Sequence, residues 1–278
     1  MVNAARSVGP LLREWRQRRR LSQLDLACEA DISTRHLSFL ETGRALPSRD
    51  MVLHLSERLD IPLRERNVLL VAAGYAPVFP ERSLGDQALR AARRAVDVVL
   101  KGHEPFPALA VDRHWTLIAA NGPVAALIAG ADPALLAPPV NVLRLSLHPQ
   151  GLAPRIANLA EWRAHLLTRL RHQIEVTADP VLIELFKELR GYPSSLAPAS
   201  GNGGVPGAPP ARPITDDYAG VAVPFRFATE AGVLSLFSTT TVFGTPVDIT
   251  LAELALEAFF PADAATADAL RAVGARAG

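Results

Sequence analysis

Two domains of different class are expected from this sequence. Residues 1–77 form an all-α five-helix domain, and residues 105–278 an α+β domain whose antiparallel sheet is covered by helices, with a connector helix in 78–104. Three observations predict this. Apolar residues recur at helical spacing in five short stretches before Gly74. Tyr75-Ala76-Pro77 and Phe79-Pro80 then stop helical structure and mark a domain edge. Beyond that edge, strand-like runs lie on either side of a long helical stretch, which suggests a sheet completed by distant segments. A chain of 278 residues is long enough for two separate cores.

In the first helix Leu11, Leu12 and Trp15 share one face, and Arg13, Arg16, Arg18, Arg19 and Arg20 crowd the rest. Ser22 is placed to cap a second helix, with Asp25 three residues on as a carboxylate form of the capping box. Leu24, Leu26, Ala27 and Ala30 supply its apolar surface, and Cys28 reads as buried filler. Asp31 falls where a left-handed turn is needed. Ser33 caps a third helix whose inner face carries Leu37 and Leu40, leaving Thr34, Arg35, Ser38 and Phe39 outward. Two short helices and a turn form a helix-turn-helix, whose second helix fits a DNA major groove. Pro47-Ser48 opens a fourth helix carrying Met51, Val52, Leu55 and Leu59, and Leu63–Ala73 makes a fifth ending at Gly74.

The element Leu84–Leu100 is amphipathic, with Leu89, Ala92, Val96, Val99 and Leu100 in register. Pro107–Val111 and Trp115–Ala119 read as strands around Asp112-Arg113-His114, followed by Asn121 and a helix over Val124–Ile128. From Asn141 to Tyr192 the pattern is helical. Residues 194–213, rich in Gly and Pro, are expected to be a disordered surface loop. Gly220–Thr229 and Val233–Val242 form a hairpin, and a final helix is expected over Leu251–Phe260, ending at Pro261.

Net charge is only +1, so the positive charge that matters is local to the first helix, as duplex binding by one domain requires. The lone cysteine excludes an intramolecular disulfide and fits a reducing compartment. Neither a signal peptide nor a run of about 18 apolar residues occurs, so a cytoplasmic protein without a membrane partner is expected.

The run L-S-Q-x-x-L-A followed by I-S-x-x-x-L-S-x-x-E-x-G, Leu21 to Gly43, resembles the Cro/C1 (XRE) repressor family. The resemblance implies that Gln23 touches phosphate and braces the reading helix, that Arg16 and Glu41 form a structural ion pair, and that Arg44 contacts phosphate. Phe39 departs from the family, which often places a polar reader there; a ring at that position suits a thymine methyl. The phrases STRHLSFLETGRALPSRDMV, HEPFPALAVDRHW, NLAEWRAHLLTRLRHQ and STTTVFGTPVDITLAELALEAFFPAD extend the likeness along nearly the whole chain. In that order they resemble the MmyB-like regulators, a Cro/C1 domain followed by an MltR-like, PAS-related ligand-binding domain. The resemblance implies a transcription regulator answering to a small, largely apolar, fatty-acid-like effector.

Within this frame Thr34, Arg35 and Ser38 read bases, and Gln23, Ser33 and Arg44 hold phosphates, on a homodimer spanning an inverted-repeat operator in double-stranded DNA. Ligand sites are mostly apolar with a few polar groups. Candidate walls are Phe106, Trp115, Leu143, Trp162, Leu166, Phe225, Phe237 and Phe243, and candidate head-group partners are His148, Arg155 and Arg163. The chain carries no G-x-S-x-G, no H-E-x-x-H and no P-loop lysine, so neither an enzyme nor a metal or cofactor is expected. The competing readings are a haem sensor ligated by His148, a redox sensor, or a DNA-tethered protein whose C-terminal half only makes protein contacts.

Overall fold

The computed structural model describes residues 7–193, 223–230, 232–246 and 248–277. The chain divides into two compact units. The first holds residues up to Asp86 together with 175–178 and 244–252; the second holds 87–174, 179–243 and 253 onward. The first unit therefore runs past the edge expected at residue 77, and the connector expected over 78–104 is divided between the two units after Asp86.

The N-terminal stretch of the first unit folds into α1 (Val8–Arg18), α2 (Gln23–Glu29), α3 (Thr34–Glu41), α4 (Arg49–Arg58) and α5 (Leu63–Ala72). Local chemistry fixes most of their ends. The Ser22 hydroxyl accepts from Asp25 N–H while the Asp25 carboxylate accepts from Ser22 N–H, a complete capping box. Asp31 takes the left-handed turn at φ 52°, and the Ser33 and Ser48 hydroxyls cap α3 and α4. Gly9 lets α1 lie directly on α3, because a Cβ there would come within 2.5 Å of the Leu40 carbonyl oxygen. Leu12, Leu26, Leu37, Leu40, Leu55 and Leu69 fill the shared core.

Two expectations about α2 are corrected. Leu24 is 61% exposed and Cys28 is also exposed. They stand four residues apart and so share the face of α2 opposite Leu26, Ala27 and Ala30, which alone are buried. The unit's extension past residue 77 has a clear cause. The Asn67 amide accepts from the N–H groups of Val78 and Phe79 and donates to the Phe79 carbonyl, tying the proline-rich chain to α5.

In the second unit, α6 (Arg90–Gly102) starts later than the expected Leu84, and only Val96 and Leu100 of its length are fully buried; Val99 is exposed. Strands β1 (Ala108–Val111) and β2 (Leu117–Ala120) follow, then α7 (Gly122–Ile128), α8 (Pro133–Leu136), α9 (Val142–Leu147), α10 (Leu159–Thr177) and α11 (Pro180–Gly191). Trp115 is not a strand residue. It sits in the turn at φ 66°, where the Asp112 carboxylate accepts from the N–H groups of His114 and Thr116, and its indole joins the core. Strands β3 (Phe225–Thr229) and β4 (Gly232–Val242) form the expected hairpin. The expected loop at 194–213 and the start of the expected strand at 220–222 lie outside the described residues.

The final-helix expectation over Leu251–Phe260 is overturned. Only Ile249–Ala252 makes a helical turn, α12, which belongs to the first unit; there buried Asp248 accepts from Arg82, and Ile249 N–H donates to the Pro80 carbonyl. Ala255–Pro261 is instead strand β5, and the terminal helix is α13 (Ala264–Ala277). Strand β5 is the centre of a five-stranded sheet of order β2-β1-β5-β4-β3, antiparallel throughout. Leu256 and Glu257 point to opposite faces and both are buried, so β5 lacks the polar–apolar alternation that marks a half-exposed strand. Its Ala-, Leu- and Glu-rich sequence favours a helix locally, and pairing on both sides overrides that preference. On one face of the sheet Trp162, Leu166 and Leu170 of α10 meet Phe225, Phe227, Leu234 and Leu236 in a single core. No helix among the described residues is long and apolar enough to cross a membrane.

Candidate functional site

The first site is the outer face of α3. Its orientation is set from behind by Glu41, which is 4% exposed and joins three helices. Arg16 on α1 donates through Nε to Glu41 Oε1 at 2.6 Å and through Nη2 to Oε2 at 2.9 Å; Gln23 on α2 donates to Oε2 at 2.8 Å. Arg16 Nη1 also donates to the Leu21 carbonyl at 2.8 Å. Burial alone would raise the Glu41 pKa, but the hydrogen bonds from Arg16 and Gln23 outweigh it and hold the carboxyl below its ordinary range. The same hydrogen bond from Arg16 raises the guanidinium's own pKa.

With Leu37 and Leu40 fully buried, the opposite side of α3 presents Thr34, Arg35, Ser38 and Phe39. Arg35 is exposed; Thr34, Ser38 and Phe39 are half-buried. Ser33 at the helix start spends its hydroxyl on His36 N–H at 3.1 Å. Just beyond the helix, Arg44 is exposed. The guanidinium groups of Arg35 and Arg44 lie 5.3 and 5.9 Å from the centroid of the Phe39 ring. Thus Gln23, Ser33, Thr34, Arg35, Ser38, Phe39 and Arg44 all lie on or beside α3.

The arginine cluster of α1 is more structural than its composition suggests. Arg16 is buried on Glu41, and Arg18 pairs with Glu14. Arg19 donates to the carbonyls of Leu59 and Asp60, closing the end of α4. Arg18 and Arg19 also lie over Trp15. Only Arg13 and Arg20 of the five are exposed with no side-chain hydrogen bond among the described residues.

The second site is the α10-covered face of the sheet. Of the eight candidate wall residues, Trp115, Leu143, Trp162, Leu166 and Phe225 belong to one buried core, and Phe106 packs at its edge. Phe237 lies on the other face of the sheet, stacked on Phe260 with centroids 5.4 Å apart, and Phe243 is half-buried just after β4. The period-two alternation of β4 separates Phe237 from Leu234 and Leu236.

The three expected head-group partners are engaged elsewhere. Arg155 donates to the carbonyls of Leu127, Ala129 and Ala228 and lies 4.4 Å from the Phe227 centroid. Arg163 donates to the carbonyls of Leu189 and Arg190 at the end of α11, although its Nε is buried without a partner. His148 accepts from Gln150 N–H and meets the Tyr192 ring edge-on.

What the core face does carry is a buried polar group that the sequence reading missed. Arg169 on α10 donates to both carboxylate oxygens of Glu257 on β5, at 2.8 and 3.1 Å, and to the Thr240 hydroxyl on β4, which itself donates to Glu257. The Arg169 guanidinium also lies 4.9 Å from the Trp115 centroid. One turn earlier His165 stacks on Trp162; burial, then the neighbouring Arg169 charge, lowers its pKa despite Glu257 and Glu161. Arg169 follows Trp162 by seven residues and so shares its helix face, a readable signal. Glu257 carried none, because its strand reads as helix. The ion pair is thus satisfied within the protein, beside the aromatic core. Among the described residues no cluster of His, Cys, Asp or Glu is placed to hold a metal.

Comparison with known proteins agrees with both halves. Residues 12–66 match the helix-turn-helix family model. Residues 92–273 match the model of the MmyB-like transcription regulator ligand binding domain. A stretch of 116 residues is 37% identical to a candidate HTH-type transcriptional regulatory protein of Methanoculleus marisnigri, and takes in 40% of this chain and 37% of that protein. The match thus spans little more than a third of that relative's length. The ligand-binding-domain model covers well over half of the chain, and with a helix-turn-helix unit on its N-terminal side the chain belongs to the MmyB-like family.

Proposed function

We propose that the protein is a sequence-specific regulator whose affinity for its operator changes when the second unit binds a small, largely apolar molecule with a polar head, of which a fatty acid is one example. The observation that carries the DNA half is α3. Its inner side is locked by Glu41 to Arg16 and Gln23, while Arg35, with Thr34 and Ser38 beside it, faces outward. A rigid helix with an exposed arginine and hydroxyls suits guanine edges in the major groove. Thr34, Arg35 and Ser38 would read bases; Gln23, Ser33 and Arg44 would hold phosphates. A homodimer places two such helices about 34 Å apart on an inverted repeat. On the ligand side, Trp115, Trp162, Leu166 and Phe225 provide the apolar wall. Ligand binding then shifts operator affinity by its differential affinity for two states of the protein.

The roles are separable. In titrations against a duplex recovered by selection, Arg35→Ala costs about 1–3 kcal/mol and relaxes preference at one base pair. Arg44→Ala weakens all sequences alike and reduces the salt slope by about one phosphate contact. Equal behaviour of the two variants on operator and random duplex would overturn the assignment. Native mass spectrometry of protein purified from its own host tests the ligand: a co-purifying lipid-sized mass is expected, and its release should change operator affinity.

A further inference from the structure

Two arginines at the reading face are held in an unusual way. Three of the α1-cluster arginines spend their N–H groups on the protein: Arg16 on Glu41, Arg18 on Glu14, Arg19 on the carbonyls of Leu59 and Asp60. The guanidinium groups of Arg35 and Arg44 make no hydrogen bond or ion pair among the described residues, and each lies over the ring of Phe39 instead, at 5.3 and 5.9 Å. A guanidinium attracted to an aromatic ring is steadied without using its donors, so all five N–H groups of each remain available. Phe39 thus braces both cations, yet the ring itself is only half-buried. An apolar ring edge lies immediately beside a planar donor fork.

We propose that Phe39 is a specificity-determining residue that reads the 5-methyl group of a thymine next to the guanine taken by Arg35. This rests on the base-reading role of α3 given above. The chemistry follows from what the major groove offers: guanine presents the paired acceptors N7 and O6, and the thymine methyl is the one apolar group on any base edge there. Arg35 and Phe39 are four residues apart, about 6 Å along the helix. Successive base pairs are about 3.4 Å apart, so the ring falls within two steps of the guanine. Arg44, held by the same ring beyond the end of α3, remains free for the backbone. The three side chains therefore act as one unit: ring to methyl, one guanidinium to guanine, the other to phosphate.

The experiment uses the full chain and a duplex obtained by selection from a random library. Each thymine of a half-site is replaced in turn by deoxyuridine, which removes the methyl and nothing else. One thymine within two base pairs of the guanine should be sensitive, its replacement weakening binding about three- to tenfold, as expected for one buried methyl. In Phe39→Ala, with folding checked by circular dichroism, that thymine-to-uracil ratio falls to about one while the guanine preference persists. Uracil tolerated at every such thymine, a half-site with no thymine there, or an unchanged ratio in Phe39→Ala would each overturn the proposal. A protein that selects no sequence at all overturns base reading itself. A guanine preference lost in Arg35→Ala but blind to uracil overturns only the role of Phe39. The uracil scan on the unaltered protein needs no variant to fold.

Discussion

Glu41 is the residue whose loss the first unit should feel most. It is the meeting point of α1, α2 and α3, and removing it leaves Arg16 buried with no counter-charge. Breaking a buried pair by deleting one member costs about 3–5 kcal/mol, and Glu41→Ala should lower stability to denaturant by that amount. The pH dependence has a definite sign. The folded pKa lies below the unfolded value of about 4.3, so the carboxylate's contribution is complete above that value and is lost as pH falls through the folded pKa. Acid titrations of stability should therefore be shallower for Glu41→Gln than for the parent below about pH 4.3. An equally steep acid limb would show that other carboxylates dominate it.

Elements differ in how much of them is written locally. The α2–α3 motif is legible because its punctuation is local: the Ser22 box, Asp31 in the left-handed turn and the Ser33 cap each act within a few residues. Strand β5 is the opposite case. Its partners β1 and β4 supply the backbone bonds that make it extended, and nothing in Ala255–Pro261 itself announces them. The same failure hid the ligand-domain polar group, since Glu257 meets Arg169 and Thr240 only after β5 has paired. Arg155, Arg163 and His148 look like head-group partners from composition; their carbonyl and ring contacts come from loops and helix ends that periodicity does not place. Hydrogen exchange gives the element-scale test. Amides of β5, paired on both sides, should exchange more slowly than those of the edge strands β2 and β3. Faster exchange in β5 than in either edge would contradict its central position.

Across the whole molecule the two cores are built from different residues, Leu37 and Leu40 among those of the first and Phe227 and Leu170 among those of the second. Each is open to separate perturbation. Leu40→Ala costs about 2–5 kcal/mol and should lower the temperature at which operator binding is lost. Phe227→Ala costs about 3–5 kcal/mol in the second core. It should lower the temperature at which Trp115 and Trp162 lose their buried fluorescence, measured in a Trp15→Phe background, while operator binding without effector is kept. Loss of both signals together in either variant would mean that the units unfold as one.

The middle place of β5 also orders events on the ribosome. The hairpins β1–β2 and β3–β4 are synthesised first, and each waits with one open edge until residues 255–261 leave the exit tunnel to join them. A nascent or prematurely terminated chain ending before Ala255 carries two unclosed β-edges, the surfaces through which polypeptides most readily stick to one another. Premature stop codons late in the gene should thus yield insoluble product, even though the helix-turn-helix is already made.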